Sequence, residues 1–445
     1  MHAEKPVVWE LGRRFAWDIL QQALAAVDPE AVVREYLTGC GEDWNAYRRI
    51  VVAGVGKAAV PMARAVEREL GEYLYSGLVI IKYGHGGPLD RTEVREAGHP
   101  QPDGAGLAAA WELTRFLSET LTPDDLLIFL ISGGGSALFP YPVEPLTLAD
   151  KQQVTRALIA GGADIREINA IRKHLSRVKG GRLLDFINGA RVLSLVLSDV
   201  IGDDLSGIAS GPTCPDPTTF GDCLDIIARY GLEDQFPASA LAYLRAGAAG
   251  GPQAPPETPK PGDPRFERVR HVIVANNFRA LEAASRAARQ TGFQPLILTS
   301  SLEGDTGEAA RFHVAVLREV LQHGHPLQPP ACIITGGETT VRVKGDGLGG
   351  RNMEFVLHCA LAMGDWEPRS LLIASVGTDG TDGPTNAAGA WADCATVARG
   401  RSLGLDAAEY LRRNDSYRYF QQLDDLVITG PTRTNVMDLR LMLVA

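Results

Sequence analysis

Cysteine is scarce in this chain of 445 residues: Cys40, Cys214, Cys223, Cys332, Cys359 and Cys394 are scattered, and no C-x-x-C pair occurs. That excludes a zinc ribbon or a disulfide framework and reads as free thiols, several of them small core residues. The nine histidines are equally dispersed. Their only close pair, His323 and His325, lies in a Pro/Gly-rich turn without acidic or thiol neighbours, which argues against a metal site there. No apolar run approaches the roughly 18 residues a membrane helix needs, and the first residues, MHAEKPVVWELGRR, lack the basic-then-apolar layout of a signal peptide. The expected location is the cytoplasm, with no membrane partner. Net positive charge is also missing: the formal charge is -10, which argues against a general nucleic-acid binder. Small anionic substrates stay open, because a local basic pocket can oppose the global sign.

What the chain has is the composition of a globular protein, 45% hydrophobic and 22% charged, in a length that suggests two or three domains. Continuous apolar runs at 48–53, 78–81, 126–131 and 192–197 alternate with segments of helical period such as 58–70 and 106–121. Runs that do not alternate imply strands buried on both faces, so the first part reads as an α/β layer structure around a parallel sheet. Residues 246–265, AGAAGGPQAPPETPKPGDPR, are rich in proline and read as a linker or long surface loop. Strand-like runs resume at 271–275, 295–299, 332–335, 371–376 and 426–429, with a helix expected over 277–291, which predicts a second α/β unit. The expected domains are 1–245, the proline-rich 246–265, and 266–445.

Glycine-rich stretches follow several of these runs. VVAGVGKAA places Gly54, Gly56 and Ala59 in G-x-G-x-x-A spacing between a strand and a helix, the form of a dinucleotide fingerprint. The next strand, however, ends in Lys82 and Tyr83 rather than in the acid that takes a ribose hydroxyl, and Lys57 within the loop suits a phosphoryl or carboxylate group better. A Walker loop is excluded, with Val51 at its first glycine position and Ala58 at its Ser/Thr position. After the run 126–131 comes SGGGSALFPYP: Gly133, Gly134 and Gly135 between Ser132 and Ser136 offer a row of backbone donors to an anion. The G-x-S-x-G serine-hydrolase elbow fails here at its last glycine.

The densest basic segment, NAIRKHLSRVKGGRL, holds Arg172, Lys173, Arg177, Lys179 and Arg182, and helical spacing would set Lys173 and Arg177 on one face. SDVIGDDLSGIASGPT places Asp199, Asp203 and Asp204 at a strand's carboxyl end, where open α/β sheets bind ligands and where Mg²⁺ finds carboxylates. Further on, TGGETTVRVKGDGLGGRNMEF carries Gly336, Gly337, Glu338, Arg351 and Asn352, with Arg351 opening a helix. SVGTDGTDGPT adds Asp379 and Asp382.

Together GVGKAA, ISGGGSAL, RKHLS..KGGRL, SDVIGDDLSGIASGPT, ETPKPGD, TGGETTV, GLGGRN.E and VGTDGTDGPT run through nearly the whole chain, and in this order the sequence resembles the glycerate kinases that phosphorylate the 2-hydroxyl. The resemblance implies a Rossmann-like N-terminal α/β domain, a smaller α/β C-terminal domain of the MOFRL type, and an active site in an interdomain cleft. It implies ATP and Mg²⁺ as cofactors and D-glycerate as the partner substrate, with Lys57 and Arg351 as the catalytic basic pair. Asp199 is the expected third catalytic group. Binding roles are expected for Gly54, Gly56, Ser132, Gly133, Gly134, Gly135, Ser136, Lys173, Arg177, Gly336, Gly337, Glu338, Asn352 and Asp379, and metal roles for Asp199, Asp203, Asp379 and Asp382. Members of that family have also carried the name hydroxypyruvate reductase, so NAD(P)H-dependent reduction of hydroxypyruvate is the alternative activity. A homodimer is compatible with the sequence, which does not fix the oligomeric state.

Overall fold

The computed structural model describes residues 7–364, 366 and 371–445, with side chains from residue 12 onward. Two sheets organise it. The first contains β1 (Ile50–Val55), β2 (Leu74–Lys82), β3 (Thr92–Ala97), β4 (Leu126–Ile131), β5 (Arg191–Leu197) and β6 (Val269–Ala275), in the order β3-β2-β1-β4-β5-β6. The pairs from β3 through to β5 are parallel. Every residue of β1 and β4 is buried, as their unbroken apolar runs require when helices cover both faces. The edge strand β3, TEVREA, is buried only at its ends, and its charged residues give no apolar run to read in the sequence.

Helix Ala59–Leu70 buries Met62, Ala63 and Val66. Helix Gly104–Thr120 starts where Asp103 accepts from the Gly106 N–H at 2.8 Å, satisfying one orphan helix donor. One core of this unit runs from Val51 and Ile80 through Leu113 and Phe129 to Val196. A second, helical cluster around Leu158, Ile171, Phe220 and Leu244 lies beside it in the same unit.

The second sheet contains β7 (Gln294–Leu302), β8 (Ala331–Gly337), β9 (Leu371–Gly377), β10 (Gly389–Ala392), β11 (Leu426–Val427) and β12 (Asp438–Val444), ordered β11-β10-β9-β12-β8-β7. Only β7 and β8 are parallel. β12 runs antiparallel between β8 and β9, and β9, β10 and β11 continue antiparallel. β12 is not among the strand-like runs expected from the sequence, yet all of its residues are buried and it lies within the sheet between β8 and β9.

By compactness the chain divides into Pro29–Val274 and a second unit made of Met1–Asp28 with Ala275–Ala445. The division differs from the one expected along the sequence at both ends. The N-terminal helix Val7–Ala25 counts with the second unit: Ala16, Ile19, Leu20 and Ala23 form a buried stripe, and just beyond it Val27 accepts from Thr434 Oγ1 at 2.8 Å. A stripe at helical spacing says that a helix is packed, not on which sheet. The proline-rich segment begins inside helix Ala238–Ala249 and then folds back onto the first unit. There the Pro256 carbonyl accepts from Arg182 at 2.7 Å, and Thr258, fully buried, donates to Asp216 at 2.9 Å.

Candidate active site

Strand order reverses between β1 and β4, and open α/β sheets bind ligands outside the carboxyl ends of the strands at that point. The two loops that leave those ends are tied together. The Lys57 N–H donates to the Gly133 carbonyl at 2.9 Å, and the Ala58 N–H donates to Ser132 Oγ at 3.0 Å. Gly56 makes that approach possible. Its φ is +131°, and a Cβ there would stand 2.2 Å from Ser132 Oγ and 2.5 Å from the Ser132 carbonyl oxygen. Gly56→Ala is therefore expected to cost about 2 kcal/mol or more of stability through backbone strain and overlap, measured as a lower urea midpoint; an unchanged midpoint would contradict this account of the loop pair. Gly54 has a different place: it lies within β1, packed against Leu130, and not in the loop.

The Lys57 side chain is half-buried, and His99 lies close to it. Burial drives the His99 imidazole down to about 4, and the charges of Lys57, Lys82 and His85 act in the same direction. The carboxyl edge of this sheet is thus lined by cations, with a neutral imidazole over the third glycine-loop residue: a Cβ on Gly134 would sit 2.9 Å from the His99 ring. The N–H groups of Gly133 and Gly134 have no acceptor among the described residues. Past the loop, Ser136 Oγ lies 2.9 Å from Ser210 Oγ, and Ser210 donates to Asn169 at 3.1 Å.

Lys173 and Arg177 do not share a helical face, because helix Ile165–His174 ends between them. Lys173 is buried and pairs with the buried Asp216 at 3.4 Å, an internal tie to the Thr258 loop. Arg177 is exposed and lies over the rings of Tyr141 and Phe186, 5.1 and 5.6 Å from their centroids. Besides Lys173, two further lysines turn inward here. Lys179 is 1% exposed and donates to the Ser136 carbonyl at 2.8 Å, while Lys151, 8% exposed, reaches the Leu175 carbonyl at 3.5 Å.

Burial, with Arg172 adding to it, lowers the Lys151 ammonium to about 7. A base whose pKa falls on folding binds fewer protons in the native state, so its burial penalty is full below that pH and fades as pH rises toward its ordinary 10.5. Lys151→Met is expected to raise Tm at about pH 6, with the gain shrinking by about pH 10. A gain that stays constant across that range would mean the ammonium is solvated.

In the second unit Arg351 opens helix Arg351–Met363 and is held by two carboxylates. Its Nε and Nη2 donate to the two oxygens of Asp438 at 2.8 and 3.0 Å, and its Nη1 lies 2.7 Å from Glu338. Burial opposes its charge, but Asp438 and Glu338 outweigh burial and its pKa rises. One N–H on each of Nη1 and Nη2 is left over, and 32% of the side chain is exposed.

Asp438 is fully buried and accepts also from Asn352 Nδ2 at 2.9 Å and from Arg440 Nη2 at 3.0 Å. Asn352 is saturated, with its carbonyl oxygen taken by Ser375. Gly336 and Gly337 lie at the end of β8, where Asn277 and the Leu302 backbone occupy the space a side chain would need. Asp438 and Arg440 were not singled out from the sequence; their only signal is two charges in DLRLMLV, an otherwise apolar run.

The aspartates expected to bind a metal divide into two kinds. Asp382 is buried, and its oxygens accept from the N–H groups of Asn352 at 3.1 Å and Met353 at 2.8 Å, so it caps the helix. Burial, opposed by those N–H groups, raises its carboxyl to about 7. Asp199 and Asp379 are half-buried just beyond β5 and β9, and Asp379 forms a turn with Thr381 at 3.0 Å. Asp203 sits at positive φ in the next loop. No group of three or more His, Cys, Asp or Glu able to enclose a metal exists among the described residues. Mg²⁺ held chiefly by phosphates needs only one or two carboxylates, and Asp382, whose two oxygens accept from the helix N–H groups, is the least suited of the four.

Residues 15–245 match the family described as domain of unknown function DUF4147, and residues 331–438 match the MOFRL family. The D-glycerate 2-kinase of Thermotoga maritima is 40% identical over 97% of this chain and 98% of its own length. The chain belongs to the glycerate kinase family. A crystal structure of a glycerate kinase from Thermotoga maritima superposes with a TM-score of 0.87 at 40% identity, over 98% of this chain and all of that one. A protein of Agrobacterium vitis provisionally named a hydroxypyruvate reductase is 43% identical over 96% of this chain and 93% of its own. The family thus carries both names that the sequence motifs suggested. No helix among the described residues of this glycerate kinase family member is long and apolar enough to cross a membrane.

Proposed function

We propose that this protein transfers the γ-phosphoryl group of ATP to the 2-hydroxyl of D-glycerate, giving 2-phosphoglycerate and ADP. The observation that carries the reading is the pair of loops after β1 and β4: Lys57, Ser132 and the free N–H groups of Gly133 and Gly134 gather at the switch point of the sheet. Such a surface suits phosphoryl and carboxylate oxygens. A nicotinamide nucleotide would need an acid at the end of β2 to take its ribose, and Lys82 stands there, a cation that acts on His99 together with Lys57. That position disfavours the reductase.

In the transfer, the bond from the γ-phosphorus to its bridging oxygen breaks as the bond to the glycerate C2 oxygen forms. ADP keeps the electron pair. We assign the hydroxyl proton to Asp199, half-buried after β5. Lys57 and the outward N–H groups of Arg351 neutralise charge on the reactants, and the glycine-loop donors orient oxygens. Mg²⁺, when bound with the nucleotide, would be held by Asp203 or Asp379, leaving Asp199 for the proton, and would offset phosphate charge. The proposed compartment is the cytoplasm, in keeping with six free cysteines, five of them buried.

Purified protein with ATP, Mg²⁺ and D-glycerate, followed by phosphorus NMR, is expected to give a phosphomonoester coupled to the C2 proton. A resonance coupled to the C3 protons would replace the assigned regiochemistry, and NADH oxidation with hydroxypyruvate in place of any phosphoryl product would replace the kinase by the reductase.

A further inference from the structure

Three basic side chains, Lys151, Arg172 and Lys179, converge beside the glycine loop, and no carboxylate bears on Lys151 or Lys179. Lys179 is 1% exposed and Lys151 8% exposed, and they donate to the carbonyls of Ser136 and Leu175. Arg172, on the same helix as Asn169 and one turn from it, is half-buried and makes no hydrogen bond or ion pair among the described residues. The charged groups that bear on Lys179 are Lys151 and Arg172, and the one that bears on Lys151 is Arg172. Buried charges are normally paired, because desolvation is repaid only by an opposite charge with good hydrogen bonds. Nearby Lys173 shows the usual solution, with Asp216 at 3.4 Å. The cluster lacks that solution, and the neutral polar groups around it, Ser136, Ser210 and Asn169, are linked to one another at 2.9 and 3.1 Å.

We propose that Lys151, Arg172 and Lys179 bind the carboxylate of the 2-hydroxy acid substrate, with the hydroxyl and amide groups of Ser136, Ser210 and Asn169 facing its hydroxyls. The assignment rests on the kinase reading for the identity of the acid. The choice of a compact anion follows from burial: the phosphates of a nucleotide arrive attached to a bulky nucleoside and need an open crevice, and Lys179 and Lys151 are only 1% and 8% exposed. Charge recognition by Arg172 gives bidentate geometry to a carboxylate. It also explains why the basic segment of an acidic protein turns part of its charge inward.

The test is titration calorimetry of the full-length protein with D-glycerate and, separately, with ATP, for wild type, Arg172→Gln, Arg172→Lys and Lys179→Met. Arg172 has no partner to orphan, so its glutamine variant is expected to fold; its Tm checks this. Losing a charge-assisted hydrogen bond should weaken D-glycerate binding about 10- to 100-fold, with partial recovery in Arg172→Lys and unchanged ATP affinity. Unaltered D-glycerate affinity in folded Arg172→Gln and Lys179→Met overturns the proposal. A loss of ATP affinity with D-glycerate binding intact overturns it too, and reassigns the cluster to nucleotide phosphates. Wild-type protein that binds D-glycerate through Arg172 yet transfers no phosphoryl group would refute the kinase reading and leave the carboxylate site standing.

Discussion

Replacement of Lys57 by methionine is expected to lower kcat for D-glycerate phosphorylation by about a hundredfold or more, the usual loss when a preorganised charge at a reacting centre is removed. The fold should persist. The tie between the two loops runs through the backbone, from the Lys57 N–H to the Gly133 carbonyl and from the Ala58 N–H to Ser132 Oγ, and a methionine keeps both. The half-buried side chain also leaves room for an unbranched replacement. A coupled assay for ADP release gives kcat and KM, and thermal unfolding gives the control. A folded variant with near wild-type kcat would remove Lys57 from the reaction, and the loop pair would then serve only to join β1 to β4. Phosphoryl transfer depends on positioning and charge stabilisation more than on a strong nucleophile, so the effect belongs in kcat more than in KM.

Asp438→Ala is expected to destabilise the protein by about 3 to 5 kcal/mol, the range for removing one member of a buried ion pair. The carboxylate is inaccessible and joins Arg351, Asn352 and Arg440 at 2.8 to 3.0 Å. Arg440 is itself fully buried, with Phe355 under its guanidinium at 5.0 Å, and among the described residues Asp438 is its one carboxylate partner. Without Asp438 its charge is stranded at the centre of the second sheet. Urea unfolding measures the loss. The double variant Asp438→Leu/Arg440→Met should recover much of it, because a matched apolar pair leaves no orphaned charge. Equal midpoints for wild type and Asp438→Ala would show the guanidiniums to be solvated. If Arg351 acts on the reactants, the double variant should regain stability without regaining full activity, since Asp438 also fixes the direction of Arg351.

The parts of the site that local chemistry encodes were legible. A glycine at position 56 followed by Lys57, and a Ser-Gly-Gly-Gly-Ser run after a buried strand, state their character in consecutive residues, and both are found at strand ends. Residues whose roles come from distant partners were not legible. Lys173 looks like any lysine until Asp216 is placed 3.4 Å away, and nothing along the chain marks Lys151 as buried until the Leu175 carbonyl is placed 3.5 Å from its ammonium. Asp382 resembles a metal ligand in a Gly/Thr/Asp loop, yet the helix beginning at Arg351 takes its oxygens.

The sequence by itself determined the alternation of buried strands and helices, the positions of the glycine turns, and the family motifs in their order, because each depends on neighbours along the chain. Only the tertiary structure decided that Val7–Ala25 packs with the second unit, that β12 is inserted antiparallel between β8 and β9, and which cations are paired. Those outcomes are set by burial and charge compensation between residues tens to hundreds of positions apart, and the energy of a buried charge depends on what surrounds it in space.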